Sequence, residues 1–168
     1  MKKILIVCVL IIIISIIAVR VSIWFSYNWL TVSEFTVTSN KISSPFRIVL
    51  ISDLHDHQFE NDNEELAEKI RNQSPDIIVM DGDMLNGDSK NDQIVVDLIR
   101  SLMGIAPVYY SFGNHEYYYI EEGHEELEND LEEAGAVVLN YQSMDIEVKG
   151  NPIRLGGLYE YGFETGMQ

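Results

Sequence analysis

Four short apolar runs recur along the chain at nearly even spacing, and this spacing constrains the fold more than any other feature. The runs begin at residues 48, 77, 108 and 137, about thirty residues apart. Most of the intervals between them carry apolar residues at helical spacing. Strand, helix and strand at this distance are typical of βαβ units, so the sequence predicts an α/β fold with a mostly parallel sheet.

Further elements are expected between and around these runs. Helices are predicted over three stretches, namely 61–72, 91–103 and 121–134. A loosely alternating stretch at 32–40 predicts an edge strand that leads into the sheet. After the fourth run, 146–149 and 153–155 predict a hairpin with its turn at Gly150-Asn151.

The first thirty residues differ in kind from the rest of the chain. Residues 4–19 are apolar except for Ser15, and interfacial aromatic residues follow them. This pattern predicts one transmembrane helix that attaches the chain to the lipid bilayer through residues 4–30. Lys2 and Lys3 predict a cytoplasmic amino terminus, with the remaining domain extracytoplasmic at the cell membrane. A cleaved signal peptide is the alternative, but the end of the apolar core is a poor cleavage site.

The rest of the chain is strongly acidic. Residues 31–168 hold all 27 acidic residues but only 8 of the 11 basic ones, which gives a formal charge of −19. Such a surface repels polyanions, so nucleic acid is not an expected partner. A small phosphate ester remains compatible, because a bound cation offsets its charge locally. Cys8 is the single cysteine, so no disulfide is expected outside the apolar segment.

Metal-binding residue types follow three of the four runs directly. Asp53 and His55 come after the first run, Asp83 after the second, and Asn114 and His115 after the third. Because right-handed crossovers place the carboxyl ends of parallel strands at one edge, these five side chains are expected to converge. Carboxylate and imidazole ligands together suit Mn, Fe, Zn or a similar divalent ion. Two such ions can clamp both oxygens of a displacement at phosphorus, with a bridging hydroxide as the nucleophile.

Three motifs carry a family resemblance. Ser52-Asp53-Leu54-His55, Gly82-Asp83 and Gly113-Asn114-His115-Glu116 resemble the first three signatures of the calcineurin-like metallophosphoesterases in order and spacing. The layout, with an anchor before the first motif, is similar to the membrane-anchored bacterial branch of phosphodiesterases and lipid-precursor pyrophosphatases. The resemblance implies the N-terminal part of a metallo-dependent phosphatase α/β/β/α sandwich, preceded by one transmembrane helix.

The resemblance also implies a role for each residue. Asp53 and His55 are expected to hold the first metal ion, and Asp83 is expected to bridge both ions. Asn114 is expected to hold the second ion. His115 is expected to act as the general acid that protonates the leaving oxygen.

One part of the family pattern is not found in this sequence. The family completes its site with a lone histidine and a Gly-His-x-His block, whereas no histidine follows His124 here. The sequence is therefore interpreted as a member truncated before these motifs. The division expected is an anchor at 1–30, a linker and lead-in strand at 31–46, and an incomplete metallophosphoesterase domain at 47–168.

Three functions follow from these observations. The first is metal-dependent hydrolysis of a phosphomonoester, phosphodiester or pyrophosphate bond, on an envelope or lipid-linked substrate that the anchor brings near. The second is a catalytically inactive remnant that binds metal, and the third is an acidic membrane module that binds divalent cations. Several other polar residues are interpreted as rim or surface groups, namely Asp56, His57, Asp81, Asp88 and His124. The aromatic run 117–119 is expected to pack in a loop, with the wall of a substrate groove as the alternative.

Overall fold

The computed structural model describes residues 2–158, and the chain separates into two compact units, Met1–Val37 and Thr38–Gln168. The first unit is built on helix α1, Lys2–Asn28, which is 27 residues long. None of the residues of α1 is buried against the rest of the described chain. Helix α1 is long and apolar enough to cross a membrane, a test that a signal sequence also passes. A helix in this segment therefore agrees with the sequence prediction.

A four-stranded parallel sheet forms the centre of the second unit. Its strands, in the spatial order β1-β2-β3-β4, are β1 Ile48–Ile51, β2 Ile77–Asp81, β3 Val108–Ser111 and β4 Val137–Val138. Each adjacent pair is parallel. The mixed α/β fold and the parallel sheet predicted from the spacing are confirmed.

Helices cover one face of this sheet. They are α2 Glu60–Asn72, α3 Gln93–Met103, α4 Asn114–Glu121 and α5 Leu127–Ala134. Since the strand order runs in one direction and such crossovers are right-handed, the helices that connect the strands lie on the same face. Helix α3 packs against both α2 and α5, and Leu98, Ile99 and Leu102 on it are at most 1% exposed. Each such side chain contributes about 1.5–3 kcal/mol through burial.

The helix predicted over 121–134 is wrong in its extent, because α5 begins only at Leu127 and a separate helix, α4, ends at Glu121. Gly123 has a left-handed backbone, with φ +109°, and it separates α4 from α5. Helix α4 begins at residue 114, in a tyrosine-rich stretch whose helix propensity is low. Burial of Tyr119 and a hydrogen bond from the backbone N–H of Gly113 to the Glu116 carboxylate stabilise it.

The lead-in strand predicted at 32–40 is also wrong. These residues lie within the described part of the chain, and they form no strand. Phe35 and Val37 are 89% and 92% exposed. A strand requires a hydrogen-bonded neighbour and a surface to pack against, and among residues 2–158 these two side chains remain largely exposed.

The predicted hairpin forms, with its turn one residue earlier than expected. Strands β5, Ser143–Val148, and β6, Asn151–Gly156, pair antiparallel as a separate two-stranded sheet. Lys149 and Gly150 form the turn, and both have positive φ, as a type I′ turn requires. The buried side chain of Asn151 accepts hydrogen bonds from Ser43 and fixes the base of the hairpin.

Candidate metal centre

The loops that follow β1 and β2 run side by side beyond the ends of the strands. The backbone N–H of Asp53 donates to the Gly82 carbonyl at 3.2 Å, and that of His55 donates to the Asp83 carbonyl at 3.0 Å. The parallel pairing of the strands is therefore extended by their loops. As a result, the first motif lies directly beside the second.

These loops bring three ligand-type side chains together. One donor atom from each of Asp53, His55 and Asp83 lies within 4.8 Å of the other two. The Nε2 atom of His55 is 4.0 Å from the Oδ1 atom of Asp53. Two ligands that each lie about 2.0–2.2 Å from one ion are at most about 4.4 Å apart. The cluster therefore has the size of a divalent metal site, with only a small closing movement of the side chains.

All three residues of this cluster have a left-handed backbone. The φ angles are +56° at Asp53, +48° at His55 and +54° at Asp83. Such conformations cost about 1–3 kcal/mol for residues other than glycine and persist where the surrounding structure fixes them. The hydrogen-bonded loops therefore hold all three residues of the cluster in this conformation.

Asn86 fixes the ring of His55 in the form that can bind a metal. The Nδ1 atom of His55 is 3.1 Å from the Asn86 side-chain oxygen, which can only accept a hydrogen bond. The proton of the neutral ring is therefore on Nδ1, and the lone pair of Nε2 is free. Nε2 is also the atom that faces Asp53. Metal-binding histidines are commonly oriented by such a hydrogen bond on their other nitrogen.

Asn86 is itself held in place by Asp56. The Asn86 amide group donates to the Asp56 carboxylate at 2.8 Å and to the His55 carbonyl at 3.2 Å. Ser89 donates its hydroxyl to the same carboxylate at 2.5 Å. The sequence predicted Asp56 to be a rim residue. In the structure Asp56 holds the Asn86 amide group, which in turn orients the ring of His55. Sequence reasoning did not identify Asn86, whose one signal is its position three residues after Asp83.

A buried carboxylate joins the second and third motifs. Glu116 is fully buried and accepts backbone hydrogen bonds from Asp83, Met84 and Gly113 at 2.8–2.9 Å. The Tyr110 hydroxyl donates to it at 2.7 Å. Burial, reinforced by the Glu116 charge, raises the pKa of Tyr110 well above its ordinary value, so this tyrosine remains a donor. Glu116 stands in the third motif, but sequence reasoning assigned it no role.

The glycines of the motifs allow these loops to approach each other. A Cβ atom on Gly82, where φ is +71°, would overlap the backbone of Gly113. A Cβ atom on Gly113 would overlap the Asp83 carboxylate. Neither position accommodates a side chain unless the Gly113 backbone or the Asp83 carboxylate moves.

The third motif places His115 against the cluster. Its backbone N–H donates to Asp83 Oδ1 at 3.0 Å, and its ring lies edge-on to the ring of His55 at 4.6 Å. Asn114 is the half-buried first residue of α4 and follows β3 at the same edge of the sheet. The structure thus brings Asp53, His55, Asp83 and His115 together, and Asn114 directly adjoins the last of them.

The ring of His115 has the opposite hydrogen-bonding arrangement to that of His55. The backbone N–H of Gly87 donates to Nδ1 of His115 at 3.1 Å. The proton of the neutral ring is therefore on Nε2. Nε2 is thus the nitrogen of His115 that can donate a hydrogen bond to a bound group.

His124 is not on a solvated helix face, as the sequence predicted. It lies between α4 and α5, where its ring stacks on Tyr119 with centroids 4.0 Å apart and an angle of 4°. Its Nδ1 atom is 3.6 Å from the Glu126 carboxylate. Burial, with Asp92 nearby, raises the pKa of Tyr119 to about 12. This pair therefore packs the connection between two helices.

A parallel sheet with Asp53, His55 and Asp83 gathered at its carboxyl edge defines an α/β domain with a candidate metal site. Residues 46–164 match the family model of the calcineurin-like phosphoesterases, and the chain belongs to this family. Members of the family are phosphoric ester hydrolases that generally bind two divalent metal ions.

Two of three curated relatives of the chain are described as metallophosphoesterases, and the third has no functional description. The chain is 32% identical over 117 residues to the uncharacterized metallophosphoesterase YkoQ of Bacillus subtilis, which is 68% of this chain and 43% of YkoQ. It is 25% identical over 137 residues to the uncharacterized protein YpbG of the same organism, covering 82% of this chain and 51% of YpbG. The uncharacterized metallophosphoesterase Cj0846 of Campylobacter jejuni is 28% identical over 90 residues, 52% of this chain and 24% of Cj0846. The chain therefore spans about half the length, or less, of the relatives it matches.

Proposed function

We propose that this protein hydrolyses a phosphomonoester, phosphodiester or pyrophosphate bond with the help of two divalent metal ions. The observation that carries the proposal is the Asp53, His55 and Asp83 cluster, in which Asn86 leaves His55 Nε2 free to bind metal. The donor set of carboxylate oxygens and one imidazole nitrogen fits Mn, Fe, Zn or a similar ion. Family membership supports the reaction class.

The roles proposed for the ligands follow their positions. Asp53 and His55 would hold one ion, Asp83 would serve both ions, and Asn114 would hold the second. When bound, the ions neutralise charge on the phosphoryl group and lower the pKa of water so that it can attack phosphorus.

His115 is the proposed general acid. Since Gly87 occupies its Nδ1 atom, His115 donates from Nε2 to the oxygen that leaves phosphorus. The backbone hydrogen bond from His115 to Asp83 keeps this donor beside the ligands. Glu116 fixes both loops, so donor and ligands keep their spacing during the reaction.

The proposed setting is the cell membrane. Residues 4–30 cross the bilayer once, Lys2 and Lys3 keep the amino terminus in the cytoplasm, and the catalytic part is extracytoplasmic. The proposed domains are therefore 1–30 as the anchor, 31–46 as the linker and 47–168 as the metallophosphoesterase domain. An envelope or lipid-linked phosphate ester is the substrate class that this location favours.

Charge argues against nucleic acid as a partner. Residues 31–168 have a formal charge of −19, so a polyanion meets repulsion over most of the surface. A small ester presents one phosphate, whose charge two bound cations offset. The proposed substrate is therefore a small molecule or a lipid headgroup.

Turnover of a chromogenic aryl phosphodiester by the full chain in neutral detergent, with Mn²⁺ present, tests the proposal. We expect hydrolysis that a chelator abolishes and that Mn²⁺ restores. Asp83→Asn should remove this activity, whereas Asp97→Asn, an exposed change on α3, should not. Metal binding without turnover would instead favour a catalytically inactive metal-binding protein.

A further inference from the structure

A shallow groove of about 540 Å³ runs along one side of helix α1, toward its carboxyl end. The described residues that line it all belong to α1, namely Arg20, Val21, Ile23, Trp24, Tyr27 and Asn28. Arg20, Trp24 and Tyr27 are spaced by four and three positions, so they lie on the same side of the helix. The Trp24 ring packs edge-on against Phe25 with centroids 5.4 Å apart, and the Asn28 amide donates to the Trp24 carbonyl at 2.9 Å. The groove therefore combines one guanidinium group with two aromatic rings.

The positive charge of Arg20 has no carboxylate near it in the sequence. Residues 1–33 contain no Asp or Glu, so the first acidic residue after Arg20 is Glu34. Arg20 is exposed, and it takes part in none of the ion pairs between described residues. An arginine charge within the hydrocarbon of a bilayer is costly. In a membrane-inserted α1, the guanidinium group is therefore expected to reach an anionic group at the membrane surface.

The length of α1 places the groove at the level of the lipid headgroups. Lys3 and Arg20 are 17 positions apart, which corresponds to about 26 Å along an α-helix. The hydrocarbon core of a bilayer is about 30 Å thick, so Arg20 lies just inside one boundary when Lys3 lies at the other. The long arginine side chain spans the remaining distance and places its charged end among the headgroups. Trp24 and Tyr27 lie about 6 Å and about 10 Å further along the helix, at the level where interfacial aromatic residues occur.

We propose that this groove binds the phosphate group of an anionic phospholipid, in the leaflet opposite to the one that Lys2 and Lys3 face. A guanidinium group binds a phosphate through two parallel N–H···O hydrogen bonds. Trp24 and Tyr27 pack against the glycerol region of the same lipid, as amphipathic rings do at the headgroup level. The charge of Arg20 thus selects the lipid, and the aromatic rings hold it beside the helix.

The chemistry of the headgroup determines which phospholipids bind. Phosphatidylcholine carries a quaternary ammonium group that lies near its own phosphate and repels Arg20. Phosphatidylglycerol carries no cation, so its phosphate is available to the guanidinium group. One basic residue near an anionic membrane surface corresponds to about a fivefold preference for the anionic lipid.

Quenching of Trp24 fluorescence by brominated lipids measures this preference. The variant Trp29→Phe leaves Trp24, four positions from Arg20, as the single tryptophan. The full chain with this change is reconstituted in vesicles of equimolar phosphatidylglycerol and phosphatidylcholine. Bromine is placed on the upper acyl chain of one lipid and, in a second preparation, of the other. We expect brominated phosphatidylglycerol to quench Trp24 more strongly, in line with about a fivefold higher occupancy beside the helix.

Three further changes in this background test whether the preference depends on Arg20. Arg20→Gln should make the two brominated lipids quench equally. Arg20→Lys keeps the charge and should keep a preference for phosphatidylglycerol. Lys3→Gln removes the same charge at the other end of α1 and should leave the preference unchanged.

The outcomes separate this inference from the proposed function. Equal quenching by the two brominated lipids in the Trp29→Phe chain, or a preference that survives in Arg20→Gln, would overturn the inference and leave the proposed membrane setting intact. Absence of quenching by either lipid would overturn both, because the inference rests on the insertion of α1 in the bilayer. A chain that shows the Arg20-dependent preference but hydrolyses no phosphate ester would support the inference and refute only the proposed reaction.

Discussion

The Oε2 atom of Glu116 accepts a hydrogen bond from the backbone N–H of Asp83 at 2.9 Å. The same carboxylate accepts from the backbone N–H of Gly113 at 2.8 Å. One buried side chain thus sets the distance between the loop that carries Asp83 and the loop that leads into His115. Hydrogen bonds to a buried charged group are among the stronger ones in proteins.

Glu116→Gln should therefore reduce stability and activity together. The amide places an N–H group against backbone donors, which leaves buried groups unsatisfied at a cost of about 1–3 kcal/mol. Urea denaturation should show this loss, with Glu133→Gln as the exposed control. An unchanged unfolding midpoint would mean that Glu116 does not clamp the loops.

Asn86→Ala should weaken metal binding while leaving the fold intact. Without the Asn86 oxygen, the ring of His55 is no longer held with its proton on Nδ1. Loss of such a supporting hydrogen bond commonly costs about 10–100-fold in metal affinity. Calorimetric titration with Zn²⁺ measures the effect, and Asn129→Ala at an exposed position of α5 serves as the control. Equal affinities in the two variants would contradict the assignment.

Gly113→Ala should disrupt the cluster of Asp53, His55 and Asp83, because the added methyl group overlaps the Asp83 carboxylate. We expect a lower thermal midpoint and loss of measurable metal binding. The matched change Gly104→Ala should be tolerated, since Gly104 has an ordinary helical φ of −74° and its Cβ would meet only Ser101 O, at 3.7 Å. Similar melting curves for both variants would show that Gly113 is not required for close approach.

Asp76 should make stability depend on pH in the acid range. Its carboxylate accepts from the Arg47 backbone at 2.7 Å and pairs with Lys149 at 2.9 Å. Burial opposes ionisation, but these two partners outweigh it and hold the pKa of Asp76 below its ordinary value of 3.8. The stabilisation is therefore present above pH 3.8 and is lost as the pH falls through the lower folded-state pKa.

The variant Asp76→Asn isolates this contribution. Between pH 5 and pH 7 the variant should be less stable by about 1–2 kcal/mol, the range for a hydrogen bond to a charged group that is partly exposed. The difference should shrink as the pH falls below 3.8. A difference that stays constant down to the acid limit would contradict the assignment.

Much of the site's position follows from periodicity. Short apolar runs with helices between them form a parallel sheet, and topology brings the carboxyl ends of its strands to one edge. Asp53, Asp83 and His115 lie within reach of one another for this reason, although 62 positions separate the first from the last. The convergence of these three residues could therefore be predicted without knowledge of any tertiary contact.

The supporting residues were not predictable in the same way. The hydrogen bond between Asn86 and His55 depends on loops with left-handed backbone at Asp53 and Asp83, which no periodic pattern encodes. Glu116 stands in a polar motif, and glutamate is ordinarily exposed. Its burial follows from four donors that converge from separate strands and loops.

The sequence did not predict the boundaries of α4 and α5, because tertiary contacts determine where these helices begin and end. Tyr117 and its tyrosine neighbours favour helix weakly, yet α4 forms because Tyr119 is buried and Glu116 caps its start. The apolar spacing predicted one helix over 121–134, but residues 122–126 are not helical and include Gly123 with its left-handed backbone.

The most direct test of the two-metal account is the number of Mn²⁺ ions bound per chain, measured by calorimetric titration of the metal-free full chain. The account predicts two ions per chain and loss of both in Asp83→Ala, because this carboxylate is the ligand that the ions share. Absence of Mn²⁺ binding, or binding unchanged in Asp83→Ala, would contradict it.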